Sequence, residues 1–67
     1  MANIKVLIVD DSVVFRSQIK AALEGVAGIS VVGVASNGKI AIEKLSQMQV
    51  DVVTLDLEML LALFFRI

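Results

Sequence analysis

Three short runs rich in β-branched residues, IKVLIVDD (4–11), ISVVGVA (29–35) and VDVVTLD (50–56), alternate with two segments of helical spacing, and that alternation leaves few folds open. The first run holds four consecutive apolar residues, Val6 to Val9, closed by two aspartates. A continuous apolar run of this length suits a strand buried on both faces of a parallel sheet. Between the first two runs, Phe15, Ile19, Ala22, Leu23 and Val26 recur at i, i+4, i+7, i+8 and i+11, a helical stripe that turns Arg16, Gln18, Lys20 and Glu24 elsewhere. Asp11 or Ser12 can cap this helix, and Gly25 or Gly28 can end it.

Behind the second run, Ser36-Asn37-Gly38 supplies turn chemistry and a cap. From Lys39 to Met48 a second stripe of Ala41, Leu45 and Met48 forms, with Lys39, Glu43 and Lys44 on the water side. Strand, helix, strand, helix, strand at these spacings predicts an α/β fold: βαβ crossovers and a parallel sheet. Gly33 inside the second strand predicts a bulge or a close backbone approach. Phe15 and the Ala, Leu and Ile stripes read as core rather than as a cofactor box. Thr54 lies within the third strand, where its hydroxyl serves packing or a local hydrogen bond, since no partner base is in view. No Pro, Ser/Gly linker or internal repeat divides the chain.

Size limits what this pattern can hold together. With 67 residues the chain forms one domain at most, and a domain of this size buries only about 60% of its unfolded surface. No cysteine or histidine is present, so neither a disulfide nor the common zinc sites can supplement a thin core. Yet 58% of the residues are hydrophobic, against about 45–50% in a typical soluble domain. Self-association is the physical expectation.

Charge excludes other classes. Six basic residues are scattered among seven acidic ones for a net charge of -1, with no basic stripe for nucleic acid. The N-terminus reaches acidic residues too early for a secretory signal, so a cytoplasmic location is expected. The apolar run Met59 to Phe65 has seven residues, far short of the roughly 20 that span a bilayer, so no membrane partner is expected.

The acidic residues carry the chemistry. In a parallel α/β sheet, groups at the carboxyl ends of neighbouring strands converge on the ligand site. Asp10 and Asp11 end the first run and Asp56 ends the third. Taken singly, an Asp-Asp pair is often a helix cap and a lone Asp often just ends a strand. Three carboxylates in one pocket repel one another unless a cation joins them. Mg2+ fits, because it takes oxygen ligands and bridges carboxylates to phosphate, and the matching reaction is attack of a carboxylate oxygen on phosphorus.

KVLIVDDS, VVGVASNGKIAIEKL and DVVTLDLEM together resemble the response-regulator receiver domain of two-component signalling, most closely the receiver of the chemotaxis protein-glutamate methylesterases. The resemblance runs from about Ile4 to Met59. It implies Asp56 as phosphoacceptor, Asp10 and Asp11 as the acidic pair that holds Mg2+ directly or through water, and the backbone carbonyl of Glu58 as a further metal ligand. It implies a histidine kinase as partner and half of a flavodoxin-like doubly wound sheet of order 2-1-3-4-5. Residues 1–59 then form a βαβαβ half-receiver and residues 60–67 an apolar tail outside the family pattern, which calls for Pro where Leu60 stands. The family's hydroxyl residue on the fourth strand and lysine on the fifth have no counterpart here. The alternative function is therefore a truncated, self-associating half-receiver without phosphotransfer. No enzymatic activity, and no esterase activity in particular, is expected. In a three-stranded sheet the third strand would be a bare edge, which predicts a homodimer joined through that edge and the apolar tail. The tail reads equally as helix, from Leu, Met and Ala, or as strand, from Phe and Ile.

Overall fold

The computed structural model describes residues 3–56 and 62–66, with side chains through Leu55. Its elements follow in the order β1 (Ile4–Asp10), α1 (Val13–Glu24), β2 (Ile29–Ala35), α2 (Gly38–Leu45), β3 (Val52–Asp56) and β4 (Ala62–Arg66). They build one sheet of order β2-β1-β3-β4. β1 pairs in parallel with β2 and with β3, as the α/β reading expects. This is a half flavodoxin-like arrangement with one further strand.

β1 is the centre of the molecule. Val6 to Asp10 are all buried, and Leu7 and Ile8 have no exposed surface. Fully burying a Leu or Ile side chain contributes about 1.5–3 kcal/mol, and alternation along the strand divides that gain between two faces. Leu7 and Val9 pack with Ala35, Val53 and Ala41 of α2. Val6, on the opposite face, borders a groove of about 210 Å³ with Leu23 of α1, Ile4, Ile29, Val52 and Thr54. The helices therefore lie on opposite faces of the sheet.

Local chemistry sets the boundaries. Ser12, not Asp11, caps α1, its hydroxyl accepting a hydrogen bond from the Phe15 amide at 3.3 Å. Gly25 ends the helix. Gly28, with φ +87°, turns the chain into β2 while its carbonyl accepts the Ile4 amide at 2.8 Å; a positive φ of this kind favours glycine. Asn37 caps α2 through its side chain to the Ile40 amide at 2.9 Å.

Two expectations need correction. The helical stripe of α1 is not a core stripe throughout: Ile19 and Leu23 are half-buried, but Phe15 is 55% exposed and Ala22 and Val26 are also exposed. The sheet meets only the Ile19–Leu23 side of the helix, and no other described element covers the Phe15 side. Nor is the third strand an edge. Residues 62–66 of the tail run antiparallel to β3, pairing Val52 with Arg66 and Asp56 with Ala62, so this part of the tail is strand and the edge proposed for a dimer is occupied by the chain itself. A parallel return needs a crossover of a dozen or more residues, whereas only residues 57–61 separate β3 from β4. Short intramolecular closure also costs less entropy than recruiting a second chain. The boundary between residues 59 and 60 lies outside the described residues.

Gly33 lies beside the expected bulge, and what approaches it closely is a side chain rather than backbone. The β1–β2 register shifts between Val6 and Leu7, leaving Val32 as the extra residue of a bulge, and a Cβ at Gly33 would stand 3.3 Å from Leu7 Cδ1. Leu7 is wholly enclosed and has little room to yield. Gly33→Val should therefore destabilise the fold by about 1–3 kcal/mol through overpacking, despite the better strand propensity of Val. Chemical denaturation measures this; a midpoint equal to or above that of the wild type would contradict it.

Candidate functional site

The turn from β1 into α1 holds Asp10 by two hydrogen bonds. Asp10 is 1% exposed. Its Oδ1 accepts the Ser12 amide at 2.8 Å, and its backbone carbonyl accepts Nη1 of Arg16 at 2.8 Å. Its Oδ2 is buried with no hydrogen-bond partner among the described residues. Asp11, the next residue, is exposed.

Across the sheet, Asp56 is the register partner of Asp10 in the parallel β1–β3 pair. The backbone thus brings the carboxyl ends of both strands to the same level, as the sequence pattern requires. The Asp56 side chain and the whole of Glu58 lie outside what is described. Among the described residues no group of three or more His, Cys, Asp or Glu side chains forms a metal-holding set.

The register that places Asp10 beside Asp56 is anchored at the other end of the strands. The Asp51 amide donates to the Lys5 carbonyl at 2.8 Å, and the Lys5 amide donates to Asp51 Oδ2 at 2.8 Å. Nζ of Lys5 adds a bond to Gln49 Oε1 at 3.1 Å. Side-chain capture of a backbone amide just before a strand is ordinary Asp chemistry, but no spacing rule links residues 5 and 51. Arg16 was equally hidden, since the helical stripe assigns it to the polar side. Thr54 meets its expectation through packing: it is buried, and its hydroxyl has no hydrogen-bond partner among the described residues.

Chemically, the described part of the site offers oxygen donors only. An orphaned carboxylate oxygen inside a protein is costly unless something compensates it. A hard divalent cation compensates oxygen ligands of this type. Asp10 and Asp11 therefore fit Mg2+ by donor chemistry and by the unsatisfied Oδ2.

Comparison with known proteins identifies the family. The family model of the response regulator receiver domain matches residues 6–60. A protein-glutamate methylesterase/protein-glutamine glutaminase of Desulfotalea psychrophila is 46% identical over 59 residues, covering 88% of this chain and 16% of the relative. Proteins of the same name from Treponema pallidum and Clostridium acetobutylicum are each 49% identical, over 57 and 59 residues, covering 85% and 88% of this chain and 14% and 17% of theirs. The chain thus spans about one sixth of the length of these relatives. No solved structure matches it. The parallel β2-β1-β3 order, the acidic end of β1 and a family match over most of the chain agree, and the chain belongs to the response regulator receiver domain family.

Proposed function

We propose that this receiver accepts a phosphoryl group on Asp56, from the phosphohistidine of a histidine kinase or from a small phosphodonor. The supporting observation is the parallel register that sets Asp56 opposite Asp10, whose Oδ2 is buried and unpartnered among the described residues. Asp10, Asp11, Asp56 and the backbone carbonyl of Glu58 would hold Mg2+. When bound, the cation supplies neutralisation of charge on the phosphoryl oxygens. An Asp56 carboxylate oxygen attacks phosphorus, the bond from phosphorus to the donor breaks, and its electron pair leaves with the donor.

The chain's other residues serve that exchange by holding positions. Ser12 fixes the Asp10 carboxylate through Oδ1, leaving Oδ2 as the free acceptor. Capping α1 with Ser12 leaves the acidic pair beside a helix N-terminus, which favours negative charge. The esterase and glutaminase activities for which the relatives are named belong to proteins about six times longer than this chain, and neither is assigned to it. No helix among the described residues is long and apolar enough to cross a membrane.

A second reading has its own observation. Val13, Val14 and Phe15 on α1 are 55–65% exposed, and Ile42 on α2 is 69% exposed, so a self-associating chain without phosphoryl acceptance also fits the surface. With β3 paired on both sides, such an association uses helix faces rather than the third-strand edge.

Labelling separates the two readings. Incubation with Mg2+ and a small phosphodonor should add one acyl phosphate, labile to base and to hydroxylamine, by intact mass, and Asp56→Asn should abolish it. Label persisting in Asp56→Asn would overturn the assignment of Asp56; a wild type that takes no label and runs as an oligomer would favour the second reading. Asp10→Asn should raise the melting temperature without cation, because a buried unpaired carboxylate costs more than an amide of the same shape. It should also remove the stabilisation that millimolar MgCl2 gives the wild type. Equal Mg2+ responses in thermal melts of the two proteins would contradict the role of Asp10.

A further inference from the structure

Arg16 sits in the first turn of α1, six residues beyond Asp10, with its own amide donating to the Ser12 carbonyl at 2.9 Å. Unlike Gln18, Lys20 and Glu24 on the same helix, which are exposed, it is half-buried. The reason is its return contact: Nη1 reaches the Asp10 carbonyl at 2.8 Å. Among the described residues it is the one basic side chain bonded to Asp10.

That carbonyl occupies a particular place. The Asp10 carbonyl and the Asp11 amide share one rigid peptide plane, so a group that holds the oxygen also sets the direction in which the chain continues to Asp11. Ser12 restrains the Asp10 side chain through Oδ1. Of the three Asp10 oxygens, one is held by Ser12, one by Arg16, and Oδ2 is left over. A guanidinium is suited to this task, because its planar donors fix direction as well as distance.

We propose that Arg16 is a positioning residue for the acidic pair: by gripping the Asp10 carbonyl it orients the Asp10–Asp11 peptide and so presents both carboxylates to a divalent cation. The inference rests on the cation site proposed above and extends it to a residue outside the ligand set. Charge and position act in opposite directions here. If Arg16 mattered only as a nearby positive charge, removing it would strengthen cation binding. As a positioning group, its removal weakens binding, as loss of an outer partner of metal ligands generally does.

The test is an MgCl2 titration of the full chain followed by backbone-amide NMR, since the protein has no Trp or Tyr to report by fluorescence. Arg16→Met should weaken Mg2+ binding by about ten-fold, while its fold without cation, checked by circular dichroism, stays that of the wild type. Arg16→Lys, which keeps the charge and a donor, should recover part of the loss. If Arg16→Met does not fold, Arg16→Gln, polar but too short to reach the carbonyl, carries the same expectation. Unchanged or tighter binding in a folded neutral variant would overturn the proposal. A wild type that binds no Mg2+ would instead overturn the cation site on which it rests.

Discussion

The parallel register between β1 and β3 is the constraint on which the site depends. Side chains alternate along a strand, so a slip of one residue would move Val6, Ile8 and Asp10 to the face now held by Leu7 and Val9. The buried apolar pattern of β1 forbids such a slip, because both faces are enclosed and Leu7 is fitted against Gly33. Lys5 and Asp51 lock the same register by two backbone-directed bonds at the far end of the strands. A packing requirement at one end of the sheet thereby fixes an electrostatic arrangement at the other, where Asp10 and Asp56 stand opposite each other.

That division of labour explains what was legible in the sequence. The strands were, since Val6 to Val9, Ile29 to Ala35 and Val52 to Leu55 are the β-branched runs that a sheet buried by helices needs. That caps lie at Asp11 or Ser12 and within Ser36-Asn37-Gly38 was legible because caps act on neighbours three residues away; the choice of Ser12 and Asn37 was settled by the fold. Candidate acids at positions 10 and 11 were legible because strand ends are where such folds gather ligands. Arg16 and Asp51 were not, because their roles depend on where a side chain reaches after folding. Phe15 misled because periodicity identifies a face but does not say how far the sheet extends beneath it.

The tail shows the same limit. Composition alone gave Leu and Ala for helix and Phe and Ile for strand, and the balance is set by context: β3 offers a row of backbone groups that only another strand can pair. Residues 62–66 meet that need from within the chain. This removes one reason for self-association but not the other, because the apolar side chains on α1 and α2 remain in contact with water. The sheet's edge and the helices' outer surfaces are separate problems, and the sequence's apolar excess had merged them.

The ends of β1 and β3 are proposed to form one oxygen-lined cation site. The most direct measurement replaces Mg2+ by substoichiometric Mn2+, another cation suited to oxygen ligands, and follows paramagnetic broadening of the backbone amides. Broadening should begin at Asp10, Asp11, Ser12 and Asp56 together, two regions 44 or more residues apart in sequence that only the sheet unites. Broadening centred on other acids, such as Glu24 or Glu43, or confined to one of the two strand ends, would contradict it.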